Sequence, residues 1–329
     1  MKGIRTSAPG KIVVCGEYAV LAGAPAVAIA VNRRATVSIR LATGDRNTVS
    51  APGYTDTESQ FDYANEHGFK WDGAASFTLL ENIWNRFAMD QQQVFAVTLD
   101  TRGFRDPHSE AKYGLGSSAA LAAALTAALA RVSGQQVDEE ELAMAAHREF
   151  QGGKGSGVDI AASCRGGVIA YSINGRRQQL VWPDGVEYAV LWSGRPASTE
   201  QRVERFAAAE QGADARALGD AAAAVLDSWP DRKQVFRVLH EYIRELQRFN
   251  AELGLGIFDA GHAELTEMAD GDSVIYKPCG AGGGDIGIVL AQDPVTLRNF
   301  VERAVATGFR QLDVTIDASG LRDEGQETN

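Results

Sequence analysis

The chain has 329 residues, of which 45% are hydrophobic and 23% charged, a balance typical of globular proteins with one large or two modest domains. Its 32 basic and 43 acidic side chains give a net charge of -11, which repels phosphate backbones and anionic lipids, so we expect neither nucleic acid nor membrane as a partner. Three widely spaced cysteines without a CxxC pattern argue against a disulfide framework or a zinc site, and an N-terminus without an apolar signal core predicts a cytoplasmic protein.

The first half of the chain is predicted to alternate strands with helices. Apolar runs and period-2 alternation predict strands, whereas apolar residues three and four apart predict helices. On these criteria strands lie at 12–14, 26–31, 35–39, 94–99 and 168–171, and helices at 76–87, 119–129 and 138–150. Residues 44–75 are rich in Gly, Asp, Thr and Asn, which predicts a loop that can include an edge hairpin.

The second half is predicted to be more helical. A helical block should start at Ser198 and extend to about Met268, and a further helix should follow at 294–307. Strands are predicted at 188–192, 273–276, 286–290 and 311–316. The polar tail, 321–329, is expected to fray. Because the composition changes near residue 180, we predict two domains, 1–180 and 181–329.

Three glycine-rich loops are candidates for a binding site. The first glycine loop, Gly114–Ser118, runs directly into an Ala/Leu-rich helix. Glycine lets the backbone approach an anion closely, and free N–H groups at a helix N-terminus attract one. Ser118 could ligate Mg²⁺ there, although a serine that caps a buried helix gives the same pattern. No GxxxxGK[ST] motif occurs, so a Walker-type NTPase is excluded.

Two further loops and one lysine add weaker signals. The second glycine loop, Gly152–Gly157, leads to Asp159, which could accept a proton from a nucleophile or cap the next helix. The third glycine loop, Gly280–Gly287, predicts backbone lying against a ligand or another strand, with a tight hairpin as the alternative. Lys11 precedes a buried strand and could either point into a cleft or be solvated.

The order and spacing of these motifs resemble the GHMP kinase superfamily. Ser7–Ile12 with Gly16–Leu21 is similar to its first motif, Gly114–Ala120 to its phosphate-binding motif, and Lys277–Gly287 to its third. The resemblance covers nearly the whole chain. It implies an α+β fold of two domains, the N-terminal one ribosomal-S5-like and the C-terminal one ferredoxin-like. It also implies an ATP-dependent small-molecule kinase.

Within the superfamily, five segments resemble the phosphomevalonate kinase family: Gly16–Tyr18, Lys112–Tyr113, Gln151–Asp159, Trp192–Thr199 and Gly280–Asp285. This resemblance implies conversion of 5-phosphomevalonate to 5-diphosphomevalonate for isoprenoid precursor synthesis. The alternatives are mevalonate kinase, another GHMP small-molecule kinase, and a diphosphate-forming decarboxylase of the same fold. A non-catalytic sensor is disfavoured because Lys11, Ser118 and Asp159 are all present.

The resemblance also implies roles for individual residues, with ATP and Mg²⁺ as cofactors and a monomer or homodimer as the assembly. Lys11 and Asp159 would be catalytic. ATP would contact Lys112, Gly114, Leu115, Gly116, Ser117, Ser118 and Ala119. The metal would be held by Ser118 and Glu149. The small acidic acceptor would contact Tyr18, Lys154, Ser156, Gly157, Arg195, Gly282 and Gly283. No role is assigned to His147 or Cys279.

Overall fold

A computed structural model describes residues 3–64, 66–72, 77–173, 175, 177–197, 215–269 and 273–327. Within these ranges the strands are β1 (Gly3–Cys15), β2 (Ala26–Leu41), β3 (Asn47–Ala51), β4 (Thr55–Ala64), β5 (Gly68–Asp72), β6 (Phe95–Asp100), β7 (Val168–Tyr171), β8 (Arg177–Leu180), β9 (Glu187–Trp192), β10 (Val274–Pro278), β11 (Ile286–Ala291), β12 (Arg310–Leu312) and β13 (Arg322–Glu327). The helices are α1 (Thr78–Trp84), α2 (Ser117–Ser133), α3 (Glu139–Phe150), α4 (Val158–Arg165), α5 (Ala215–Asp227), α6 (Arg232–Leu253), α7 (His262–Met268) and α8 (Pro294–Ala306).

The first sheet is organised around β2, whose 16 residues pair with β1, β6 and β7. Its strand order is β13-β1-β2-β6-β3-β4-β5, with β7 beside the first half of β2 and β8 beside β7. Side chains alternate between the faces of a strand, so Val13 enters a core formed with α1–α4. Its neighbours Ile12 and Val14 enter a second core on the opposite face. Burial of both faces explains why the start of β2 is apolar throughout.

The second sheet is antiparallel, with the order β10-β11-β9-β12. The chain runs from β9 through helices to β10, continues through β11 to α8, and ends at β12. This connectivity and order are those of a ferredoxin-like unit, as expected. On one face, Leu191 packs with Leu265 of α7 and Phe300 of α8.

The second core joins the two sheets. Ile29 of β2, Trp192 of β9 and Leu246 of α6 all belong to it. A shared apolar core of this kind fixes the relative position of the elements that contribute to it, because moving one sheet would expose side chains of the other.

The division of the chain into two domains, 1–180 and 181–329, stays a prediction. The change from the first sheet to the second falls between Leu180 and Glu187. However, β13 returns to the first sheet and pairs with β1. The C-terminal end of the chain therefore belongs structurally with the N-terminal half.

The expected fraying of the tail was wrong for its described part. β13 pairs antiparallel with β1, with Ser7 opposite Arg322 and Gly3 opposite Glu327. The side chain of Asp323 also pairs with Arg131 of α2, at 2.8 Å. A polar strand at a sheet edge buries few apolar side chains, so hydrophobic periodicity does not reveal it.

The prediction of a loop over residues 44–75 was also largely wrong in the described part of that range, 44–64 and 66–72. The expected edge hairpin is present as β4 and β5, but β3 adds a third strand. Aromatic contacts join these strands to each other and to α1, because Phe61 of β4 lies 5.0 Å from Trp71 of β5 and 5.6 Å from Trp84 of α1 between ring centroids. Most other β4 side chains are exposed, which hid the strand from pattern analysis.

The helical block predicted from Ser198 to Met268 is present as α5, α6 and α7 in its described part. Its predicted start, residues 198–214, lies outside the described residues. The helices predicted at 138–150 and 294–307 are confirmed as α3 and α8. None of the helices in the described part of the chain has the length and apolar character needed to cross a bilayer.

An ion pair joins the segment that follows β6 to the second sheet. Asp106, which follows β6, accepts a hydrogen bond from Ser109 Oγ at 2.6 Å and pairs with Arg310 of β12 at 2.9 Å. These interactions, of which the hydrogen bond from Arg310 has the largest effect, lower the pKa of Asp106 to about 2.

We expect Asp106→Asn to lower stability at neutral pH, and the loss to shrink as the pH falls from about 4 towards 2. The reason is that a carboxyl whose pKa is lowered by folding contributes its full stabilisation above the pKa it has in the unfolded chain, about 4. This contribution is lost as the pH falls to its pKa in the folded protein, about 2. Urea denaturation at several pH values would measure this, with the exposed Asp313→Asn as control. A stability difference that does not change with pH would contradict the assignment.

Candidate active site

The first glycine loop lies directly on β1. The backbone N–H of Lys11 donates to the carbonyl oxygen of Leu115 at 2.8 Å. Gly116 is the N-cap of α2 and has φ +77, and a Cβ added there would lie 2.9 Å from Lys11 Cε. Glycine is therefore required at this position both for its backbone conformation and for the passage of the lysine side chain. Ser118 does not cap α2, since Gly116 is the N-cap.

Lys11 meets Asp159 at the mouth of this loop. Lys11 Nζ lies 3.3 Å from Asp159 Oδ1, and their side chains are 9% and 30% exposed. Gly157, with φ +88, is the N-cap of α4, so Asp159 sits in the first turn of that helix and does not cap it. The structure thus places a largely buried ammonium and a solvent-accessible carboxylate side by side, a pair suited to binding and orienting a charged ligand.

His147 completes this cluster, although the sequence analysis gave it no role. Its Nε2 lies 3.0 Å from Ser118 Oγ, and the residue is 2% exposed. Burial lowers the pKa of His147; nearby Asp159 opposes this effect and Lys11 adds to it. Helical spacing could have indicated that His147 is buried, because Ala143, Met144 and His147 share one face of α3.

Glu149 is not brought to Ser118. Its carboxylate pairs with Arg86 at 2.6 Å, and its side chain is 59% exposed. Residues two positions apart on a helix face in different directions, so α3 can present only one of His147 and Glu149 to the first glycine loop. Among the described residues, no group of three or more His, Cys, Asp or Glu side chains is arranged to hold a metal ion.

The third glycine loop is fixed against several other segments. Tyr18 Oη donates to the carbonyl oxygen of Ala281 at 2.6 Å. The N–H of Gly283 donates to the carbonyl oxygen of Ile257 at 2.7 Å, and a Cβ on Gly282 would overlap the same residue. The loop joins the antiparallel strands β10 and β11, so it is a hairpin connection, as one alternative predicted. Its glycines also permit close packing against the backbone of Ile257.

Asp285 joins three parts of the site and was not singled out from the sequence. A Cβ added to Gly114 would overlap its side chain, so the third loop touches the first. Its N–H donates to the carbonyl oxygen of Arg195 at 2.7 Å, and its Oδ1 accepts from the N–H of Ala197 at 3.1 Å. It does so with φ +52, a conformation that non-glycine residues seldom adopt. This residue connects both glycine loops to the segment that carries Arg195.

A buried polar network lies behind the site. Glu17 and Lys277, 5% and 1% exposed, form an ion pair between the first and third motifs. Tyr242 of α6 donates to Glu17 Oε2 at 2.7 Å and accepts from the N–H of Gly16 at 2.9 Å. Burial acts to lower the pKa of Lys277, but Glu17 outweighs it and the pKa is raised. Each partner therefore depends on the other, because removing one would leave a buried polar group without its ion-pair partner.

The other predicted site residues surround this cluster. Ser117 begins α2, whereas Leu115 and Ala119 are buried, so they can offer a ligand only backbone groups. Lys112 is exposed and bridges to Arg105 through its backbone.

Two further predicted residues lie on the second glycine loop. Lys154 is exposed there. The carbonyl oxygen of Ser156 accepts a hydrogen bond from Tyr171 Oη at 2.6 Å, which ties the loop to β7.

Comparisons with known proteins agree with the geometry. Residues 92–167 match the family model described as GHMP kinases N terminal domain. A phosphomevalonate kinase of Streptomyces sp. (strain CL190) is 32% identical and covers 95% of this chain and 97% of its own length. A mevalonate kinase of Thermococcus sibiricus is 25% identical, with 98% of each chain covered.

A solved structure shares the fold. This structure, Streptococcus pneumoniae phosphomevalonate kinase in complex with phosphomevalonate and AMPPNP, superposes with a TM-score of 0.76 at 18% identity, covering 96% of this chain and all of that one. Since the Streptomyces relative is 32% identical over nearly the whole length, the chain belongs to the GHMP kinase family: it is an ATP-dependent small-molecule kinase with that family's two-domain α+β fold, similar to phosphomevalonate kinases.

Proposed function

We propose that the protein transfers the γ-phosphate of ATP to 5-phosphomevalonate and so forms 5-diphosphomevalonate. The observation that carries this proposal is the Lys11–Asp159 pair at the mouth of the first glycine loop, in a chain 32% identical to a phosphomevalonate kinase. Phosphoryl transfer needs mainly positioning and neutralisation of charge, which these groups supply.

The first glycine loop would hold the phosphates of ATP. The N-terminal turn of α2 offers free N–H groups, and Gly114 and Gly116 allow the backbone to approach an anion. The donor set fits Mg²⁺, which commonly takes one or two protein oxygens together with substrate phosphates and water. Ser118 and Asp159 would be those oxygens. The bound ion would neutralise charge on the β- and γ-phosphates.

Lys11 and Asp159 would act on the acceptor. The phosphate of 5-phosphomevalonate is largely ionised at neutral pH, so its oxygen needs no strong base. Asp159 would orient the acceptor and the metal. Lys11 would offset the negative charge between the two phosphates as the γ-phosphoryl group passes from ATP to the acceptor oxygen and ADP leaves.

Charged and polar groups beside the cluster would select an anionic acceptor. Arg195 is held next to Asp285 by its backbone, and Lys154 lies on the loop that precedes Asp159. Tyr18 extends from the first motif to the third glycine loop. We propose that Arg195 and Lys154 bind the acceptor's phosphate and carboxylate, because guanidinium and ammonium groups make strong charge-assisted hydrogen bonds to such anions.

An acceptor panel tests this proposal. Purified protein with Mg-ATP would be offered mevalonate and 5-phosphomevalonate in parallel, and ADP release would be followed. We expect turnover only with 5-phosphomevalonate. Mevalonate kinase is the second candidate, because relatives with that name also match the whole chain. Turnover with mevalonate alone would overturn the proposed substrate in favour of that candidate.

A further inference from the structure

His147 is a buried side chain that contacts the proposed metal ligand Ser118 and has no part in the mechanism so far. Its ring is 2% exposed, and its Nε2 lies 3.0 Å from Ser118 Oγ. It sits on α3, whereas Ser118 is in the first turn of α2. The contact therefore links two helices across the site and does not arise from local sequence.

The chemistry of this contact bears on how Ser118 presents its oxygen. A serine hydroxyl has one proton and two lone pairs, and its proton rotates to suit the partner. One nitrogen of a neutral imidazole is an acceptor. When Nε2 accepts a hydrogen bond from the hydroxyl group, both lone pairs of Oγ remain available to a cation. Without the imidazole, the hydroxyl is free to rotate towards other acceptors.

We propose that His147 is a positioning residue that holds the hydroxyl of Ser118 in the orientation in which its oxygen receives the Mg²⁺ of Mg-ATP. It acts through Ser118 and does not contact the metal itself. This inference rests on the proposed role of Ser118 but not on the identity of the acceptor. Groups that orient a metal ligand in this way typically contribute about 10- to 100-fold to metal affinity or activity.

A purely structural role is the competing explanation. His147 also stacks on Phe150, with ring centroids 6.1 Å apart, so its loss could simply loosen the end of α3. That role predicts lower stability without a specific change in the response to Mg²⁺. The positioning role predicts a specific loss of Mg²⁺-dependent binding with little change in stability.

The test uses His147→Leu and His147→Gln, because the glutamine amide can still reach Ser118 whereas leucine cannot. A non-hydrolysable ATP analogue would be titrated calorimetrically, with Mg²⁺ and with EDTA, and thermal unfolding would be recorded for each protein. We expect His147→Leu to lose about 10-fold or more of the affinity gained from Mg²⁺, and His147→Gln to keep most of it. The exposed His67→Leu serves as the control.

A double-mutant cycle decides whether the effect passes through Ser118. In a Ser118→Ala background, His147→Leu should change the Mg²⁺-dependent affinity little further. An undiminished effect in that background would overturn the proposal, as would a folded His147→Leu protein with the parent's Mg²⁺ response. No acceptor is present in this assay, so a wrong assignment of 5-phosphomevalonate would not affect it.

Discussion

Lys11→Met and Asp159→Asn are each expected to lower kcat by about 10³-fold or more while leaving the fold intact. Lys11 is the buried cation beside the first glycine loop, and its removal leaves the charge between the two phosphates without a partner. Asp159 is 30% exposed, so its replacement by a similar amide costs little packing. Single-turnover kinetics with saturating Mg-ATP would measure the chemical step directly.

The control for this experiment is the exposed pair Arg237 and Glu241 on α6, whose side chains lie 2.8 Å apart. Arg237→Met and Glu241→Gln remove an exposed ion pair to which no role in the site is assigned, and they should leave kcat unchanged. Circular dichroism would verify that all four variants fold. Turnover close to that of the parent protein in both site variants would contradict the proposed mechanism.

Breaking the buried pair Glu17–Lys277 should produce the largest loss of stability. Either Glu17→Gln or Lys277→Met alone leaves an uncompensated charge where both side chains are at most 5% exposed. Such losses typically cost about 3–5 kcal/mol of unfolding free energy. In the double variant neither charge of this pair remains, so we expect most of the lost stability to be recovered. Urea denaturation of the four proteins would give the double-mutant cycle.

The surface pair Arg237–Glu241 again provides the comparison, since an exposed pair one helical turn apart contributes less than about 0.5 kcal/mol. If either buried variant were no less stable than the surface variants, the network would not hold the two motifs together. A double variant whose loss equals the sum of the single losses would show that the two charges do not depend on each other.

Much of the fold followed from residue patterns. The helix at 294–307 was recognisable because Asp293 caps it, with Pro294 in the first position where its missing N–H is harmless. The long apolar run at the start of β2 predicted a strand at 26–31. By contrast, β13 and β3–β5 bury few apolar side chains, and β13 pairs with β1 at the other end of the described chain. Local hydrophobic periodicity does not show which distant segment a strand pairs with.

The site was predictable as a set of motifs but not as an arrangement. The family resemblance, carried by the order of the glycine loops, implied that Lys11, Ser118 and Asp159 belong together. In the structure Lys11 pairs with Asp159 and lies against Gly116 of the loop that carries Ser118. The contact of Ser118 with His147 depends on how α3 packs on α2, which no spacing within either helix encodes. The same limit applies to Asp285, whose role depends on the meeting of two loops.

The most direct test of the account is phosphorus NMR of the purified protein with Mg-ATP and 5-phosphomevalonate. The account predicts that the ATP signals give way to those of ADP while the monophosphate signal of the acceptor is replaced by the two coupled signals of a diphosphate. Formation of ADP with free inorganic phosphate and unchanged acceptor would contradict it, because the γ-phosphate would then pass to water and not to the acceptor.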